Sequence, residues 1–210
     1  MLEARNLTCV RGDRPLFQGL DLRLEPGEGV HLAGANGSGK TSLLRLLCGL
    51  SAPAEGEVLW EGENIRSLRE EFYRQLVYVG HASAVKDDLT ATENLVTSAA
   101  FAGIPVAPAD AQEALERIGL GGREHLPTKV LSQGQRRRVA LARLLVSERV
   151  PLWVLDEPFT ALDKRAVEQL RKTIEAHLAR GGMAIYTTHQ DVELNVPSQR
   201  RLDLDQVARR

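Results

Sequence analysis

Gly34-Ala35-Asn36-Gly37-Ser38-Gly39-Lys40-Thr41-Ser42 is the stretch whose reading decides the fold. Two glycines with four residues between them precede Lys and Thr, the pattern of a phosphate-binding loop. Upstream, Val30-His31-Leu32-Ala33 reads as a short buried strand. Downstream, Leu43, Leu44, Leu46, Leu47 and Leu50 recur at helical spacing. Strand, glycine-rich turn and helix are the context the pattern requires. Glycines let backbone N–H groups turn inward without a Cβ clash and form a nest for anions. The helix start adds partial positive charge at the same spot. In that geometry Lys40 reaches the β- and γ-phosphates of a nucleotide, and Thr41 offers its hydroxyl to Mg²⁺. The plain alternative is a glycine-rich turn with a surface lysine, and the flanking strand and helix count against it.

The 210 residues suffice for one large domain or a core plus a lobe. A hydrophobic share of 43% excludes global disorder. The net charge of -1 disfavours a duplex-binding module, which is usually strongly basic. The one dense basic run, Arg136-Arg137-Arg138, reads as a solvated helix face. Cys9 and Cys48 lack metal-ligand spacing and suit a reducing cytosol, with Cys48 a core thiol. Met1–Val10 is not a signal peptide, and no apolar run approaches the ~20 residues that span a bilayer. Any membrane part is therefore expected from another chain.

Taken in order, Leu2–Val10 and Leu16–Leu24 read as strands around a turn at Arg11–Pro15. Glu57–Trp60 and Leu76–Val79 are further strands, with a turn at Gly62–Asn64 and a solvated helix over Arg66–Leu76 between them. From Thr90 to about Leu120 the pattern turns helical. Thr90-Ala91-Thr92-Glu93 is a capping box, Gly103-Ile104-Pro105 a break, and Pro108 opens a second helix ending near Gly119. We read about 82–131 as a helical lobe inserted into an α/β core of 1–81 and 132–210. Ser132-Gln133-Gly134-Gln135 is a second capping box before the run Val139–Leu145. Leu152–Leu155 is a buried strand, Asp163 caps a helix over Lys164–Arg180, and Met183–Thr187 is a core strand. Arg200–Val207 adds an edge strand.

Asp156 and Glu157 end a buried strand, which is where open α/β sheets bind ligands. Beside the phosphate loop, Asp156 would hold Mg²⁺ and Glu157 would polarise a water for attack on the γ-phosphate. Without that loop they would be two solvated acids. At Leu131-Ser132-Gln133-Gly134-Gln135, free N–H groups, a hydroxyl and a helix start make a second anion site. The phosphate loop already serves one nucleotide, so this site would face another. Its bland reading is a capped helix start.

These residues resemble those of the ATP-binding cassette (ABC) ATPases. Gly34–Ser42 is similar to their Walker A loop, Leu131–Gln135 to the signature Leu-Ser-Gly-Gly-Gln, and Leu152–Glu157 to Walker B. Ala161-Leu162-Asp163 resembles the D-loop and His189 the switch histidine. The resemblance covers essentially the whole chain. It implies a P-loop NTPase fold: a mixed sheet with helices, an antiparallel β subdomain and an inserted helical lobe. It also implies a homodimer of two cassettes packed head to tail around two ATP molecules with Mg²⁺. Ser132, Gln133, Gly134, Gln135 and Asp163 would then face the opposing subunit's ATP. Glu157 would be the catalytic carboxylate, and His189 would contact the γ-phosphate. The chain has His81 where the family carries a glutamine, and an imidazole can still meet Mg²⁺ or its water. It has Arg11 where the family stacks an aromatic on adenine. A guanidinium plane can stack there too, and the other reading is a turn residue.

The likeness is closer to one subfamily, the ATP-binding subunits of the cytochrome c maturation system. Met1–Leu7, Lys40–Leu47, Gly56–Trp60, Gly80-His81, Asp156–Ala161 and Thr187–Gln190 carry it. It implies a peripheral place on the cytoplasmic face of the inner membrane, with the integral subunit CcmB and the partners CcmC and CcmD. It implies ATP hydrolysis that drives haem export, or release of the haem-loaded chaperone. No direct haem contact is expected, since the histidines are scattered. An ABC ATPase for another exported substrate shares every motif. A soluble, non-transport ABC protein usually carries two cassettes or a long coiled coil, and this chain has one cassette without sustained heptads.

Overall fold

The computed structural model describes residues 1–207. The chain opens with β1 (Leu2–Arg11), β2 (Arg14–Leu24), β3 (Gly29–Ala33), α1 (Lys40–Leu47), β4 (Glu55–Trp60) and β5 (Glu63–Asn64). The short helices α2 (Ile65–Leu68) and α3 (Glu70–Tyr73) lead to β6 (Leu76–Val79). Then come α4 (Ala91–Phe101), α5 (Pro108–Leu115), α6 (Gln133–Leu141), α7 (Arg143–Val146) and β7 (Leu152–Leu155). Last are α8 (Lys164–Ala179), β8 (Met183–Thr187), β9 (Gln199–Asp203) and the single turn α9 (Leu204–Val207).

The strands divide between two sheets. One is antiparallel, in the order β2-β1-β4-β5; the other is parallel throughout, in the order β6-β7-β8-β3-β9. Their sequence patterns differ for a physical reason. β2 buries Phe17, Leu20, Leu22 and Leu24 and exposes the residues between, because one face of its sheet meets water. β7 and β8 are buried at every position, because helices and the second sheet cover both of their faces. One apolar cluster joins Leu2, Phe17, Leu44 and Val154 between the sheets. The other, on the opposite face, joins Trp153, Phe159, Ile174 and Tyr186 to Leu95 and Leu115 of the helices inserted between β6 and β7. Within it Trp153 stacks on His177 with ring centres 3.7 Å apart, and burial pushes the His177 imidazole down to about 4.

Both capping boxes form, at Thr90 with Glu93 and at Ser132 with Gln135, and the Asp163 side chain caps α8. Several boundaries differ from the sequence reading. The helix expected over Arg66–Leu76 is split at Arg69, whose φ of 27° breaks it, and Leu76 already belongs to β6. Glu63–Asn64, expected in a turn, pairs with β4. The run after Ser132 divides at Ala142 into α6 and α7. The expected edge strand covers only Gln199–Asp203, parallel to β3, and the chain then coils into α9 because Leu204 turns into the core. Residues 208–210 of the expected core range lie outside the described residues. Among the described residues no helix is long and apolar enough to cross a membrane.

Because the five strands are parallel, β3, β6, β7 and β8 all end on one edge. The loops that follow them, at 34–39, 80–82, 156–161 and 188–190, are gathered there, where open α/β sheets carry their sites.

Candidate functional site

These loops enclose a cavity of about 700 Å³. Asn36, Gly37, Gly39, Lys40, Thr41 and Ser42 line it from the phosphate loop, and Asp156, Glu157 and His189 line it from the ends of β7 and β8. His81 and Arg11 reach the same cavity. Leu16, Thr160 and Gln190 line it as well, and the sequence did not single them out.

The phosphate loop is shaped by close approach. A Cβ at Gly34 (φ 143°) would lie 2.6 Å from Ser38 Oγ, and one at Gly39 (φ 103°) would press on Leu16 and Phe17. Gly39 occupies the N-cap of α1 with no side chain capping the helix. The first N–H groups of α1 therefore have neither a carbonyl within the helix nor a side-chain acceptor at the cap. Lys40 Nζ lies over the loop and donates to the Gly34 and Ala35 carbonyls at 2.7 and 2.9 Å. Ser38 Oγ is buried without a hydrogen-bond partner among the described residues. The Ala35 N–H donates to Asp205 at 2.8 Å. Asp205 belongs to α9, 170 residues away in sequence, and no local pattern marks it.

At the end of β7, Asp156 is 2% exposed and accepts two hydroxyls: Thr41 Oγ1 at 2.8 Å and Thr187 Oγ1 at 2.9 Å. Thr187 in turn accepts the Glu157 N–H at 2.8 Å, so one threonine joins both acids. Glu157 adopts φ 50°, a left-handed conformation that residues with side chains rarely take. Its Oε1 is buried without a hydrogen-bond partner among the described residues and lies 3.4 Å from His189 Nε2, while its Oε2 accepts the His189 N–H at 3.3 Å.

The arginine run does not form a solvated face. Arg137 is 3% exposed. Its Nη1 donates to the Gly80 carbonyl at 2.7 Å and the His81 carbonyl at 3.3 Å, and its Nη2 to those of Asp156 and Glu157 at 2.9 and 2.8 Å. Burial draws its pKa down, against the pull of the Asp156 and Glu157 carboxylates. Leaving one such buried carbonyl unpaired costs about 1–3 kcal/mol. The signal was present: successive helical residues sit about 100° apart, so three adjacent arginines cannot share one face.

Ser132, Gln133, Gly134 and Gln135 do not line the cavity, nor does Asp163. Ser132 and Gln133 are exposed at the start of α6. Gln135 N–H donates to Ser132 Oγ at 3.3 Å, and Ser132 N–H to Gln135 Oε1 at 2.9 Å. A Cβ at Gly134 would lie 2.5 Å from the Ala161 carbonyl, so α6 abuts the 161–163 turn with no room for a side chain. Asp163 accepts the Ala166 N–H and pairs with Arg138; the first of these does most to hold its carboxyl below the usual carboxylate range.

Fold and site together define an ATP-binding subunit of the ABC type. The profile of the ABC transporter family matches residues 17–160. Among solved structures, a putative ABC transporter ATP-binding protein from Pyrococcus furiosus superposes with a TM-score of 0.83 at 26% identity, covering 99% of this chain and 98% of that one. The ATP-binding cassette MJ0796, in a dimeric post-hydrolysis state bound to ADP and Pi, gives 0.80 at 25% identity over 90% of this chain and 88% of the other. The cytochrome c biogenesis ATP-binding export protein CcmA of Nitrosospira multiformis is 56% identical over 97% of this chain and 98% of its own. Its counterpart in Nitrosomonas europaea is 54% identical over 97% and 95%. The chain belongs to the ABC transporter family and, within it, to the group of these CcmA proteins.

Proposed function

We propose that this chain is the ATP-hydrolysing subunit of a membrane complex that serves c-type cytochrome maturation. The observation that carries the reading is the single cavity shared by Lys40, Thr41, Asp156, Glu157 and His189. The names printed for relatives 56% and 54% identical support the cytochrome c setting. ATP lies with its phosphates at the open start of α1, where Lys40 exchanges the loop carbonyls for β- and γ-phosphate oxygens. The Thr41 hydroxyl and the Asp156 carboxylate, 2.8 Å apart, are the hard oxygen donors that suit Mg²⁺. Bound there with the nucleotide, Mg²⁺ would neutralise charge that develops on the phosphate oxygens. Glu157 accepts a proton from the attacking water, and His189, against its carboxylate, turns toward the γ-phosphate. His81 and Arg11 line the same cavity; in this reading His81 would meet Mg²⁺ or its water, and the Arg11 guanidinium would stack on the adenine.

Two subunits close head to tail, so that Ser132–Gln135 and Asp163 of one face the ATP of the other. The dimeric state of the MJ0796 cassette supports the pairing of two such subunits. The core of 1–81 and 132–210 holds the nucleotide, and the groove between core and the 82–131 helical lobe, around His81–Asp88, is the membrane-coupling surface. The integral partners are CcmB, CcmC and CcmD, at the cytoplasmic face of the inner membrane. The work delivered is haem export or release of the haem-loaded chaperone.

Phosphate release and dimer formation test this together. Glu157→Gln and Lys40→Ala should each lower hydrolysis by roughly 10²–10³-fold. Glu157→Gln should also accumulate an ATP-dependent dimer in size-exclusion chromatography. A dimer that never forms, or Glu157→Gln at the parental rate, would sink the scheme. Copurification of unrelated integral proteins would move the chain to another exporter.

A further inference from the structure

We propose that Arg137 is a positioning residue whose single guanidinium fixes the main chain of the His81 turn and of the Glu157 turn together. The inference rests on the assignment of Glu157 as the base. Gly80 and His81 follow β6, and Asp156 and Glu157 follow β7, its parallel neighbour. Their carbonyls are the ones that Arg137 Nη1 and Nη2 hold at 2.7–3.3 Å. A planar fork with its donors at fixed angles can serve two turns at a set separation; an ammonium cannot. No carboxylate pairs with Arg137 among the described residues, so its hydrogen bonds go to backbone rather than to an ion partner.

Glu157 needs such a grip. A residue with a side chain keeps φ 50° only where its surroundings over-determine it. Thr187 Oγ1 holds its N–H and Arg137 holds its carbonyl, so both ends of the residue are pinned. Arg137 stands on α6, the helix whose start is Ser132–Gln135. The element offered to the opposing subunit's nucleotide thus carries the clamp on this subunit's own base. A displacement of α6 reaches the Glu157 turn through the hydrogen bonds of Arg137 to the Asp156 and Glu157 carbonyls.

Steady-state ATP hydrolysis by the whole chain, with its ATP dependence, tests the role. Arg137→Gln and Arg137→Lys are compared with the parent and with Glu157→Gln. Both arginine variants should lose roughly 10- to 100-fold in kcat, the cost of moving a reacting group by about 1 Å. KM for ATP should stay within about threefold of the parent. Arg137→Lys keeps the charge and should still fold cooperatively, at a melting temperature lowered by the carbonyls it leaves unpaired, and its kcat stays low because one ammonium cannot span both turns. A folded Arg137→Lys protein with the parental kcat overturns the proposal, as does a loss carried by KM alone. If Glu157→Gln matches the parent, the base assignment fails and the clamp falls with it. If Glu157→Gln is inactive while Arg137→Lys is parental, only the clamp fails.

Discussion

At the start of α1 the N-cap is a glycine with φ 103°, and no side chain caps the helix. At the start of α6, Ser132 and Gln135 close on each other and satisfy the helix from within. Both are helix N-termini of the kind that attract anions. The first is left open toward a cavity within its own subunit, and the second is closed, exposed and turned elsewhere. α4 is closed in the same way by Thr90 and Glu93, away from that cavity. The difference teaches that a capping box does not make a site. What distinguishes α6 from α4 is Gly134, pressed on Ala161, and Arg137, fastened to the turns around Glu157.

The contrast can be broken most severely at Gly134. Gly134→Ala places a methyl 2.5 Å from the Ala161 carbonyl, and that backbone cannot yield cheaply. Hydrolysis should drop about 10²-fold, while binding of a fluorescent ATP analogue at the α1 cradle stays near parental. Equal losses in both measurements would erase the distinction between the two helix starts.

Acid acts on the apolar cluster that carries α6, on the sheet face opposite α1. The His177 imidazole, stacked on Trp153, is pushed down to about 4 by burial, whereas in the unfolded chain it titrates near 6.5. Above pH 6.5 both states are neutral and the group costs nothing. As the pH falls below that, the unfolded chain takes a proton that the folded chain refuses. Stability should therefore decline by up to about 1.4 kcal/mol per pH unit from pH 6.5 toward 4. Urea midpoints at pH 7 and pH 5 check this. A flat profile would show that His177 accepts its proton without unfolding.

The smallest effects separate the two capping boxes. Ser132→Ala and Thr90→Ala should each cost about 1 kcal/mol in urea unfolding. Only Ser132→Ala should also slow hydrolysis. A Thr90→Ala protein equally slowed would mean that capping, rather than what the cap faces, governs activity.

Much of this was legible where physics acts over a few residues. The phosphate loop needs glycines at fixed offsets, the capping boxes need Ser/Thr and Glu/Gln three apart, and the fully buried β7 and β8 read as continuous apolar runs. What escaped depends on distant partners. Asp205 meets Ala35 only because β9 runs beside β3. Thr187 looks like an ordinary β-branched strand residue until Asp156 and Glu157 are found beside it. Arg137 was hidden by its neighbours, since a triple-arginine run reads as surface although only part of it can face water. The break at Arg69 had no glycine or proline to announce it.

The contact between Gly134 and Ala161 leaves less than a methyl group of clearance. Under the proposed head-to-tail pairing, two lips of the surface facing the second subunit are thereby fused into one rigid stamp. Neither can be reshaped alone: a variant library that redesigns the face must vary residues 132–135 and 161–163 as a linked set, because a larger side chain on one lip displaces the other.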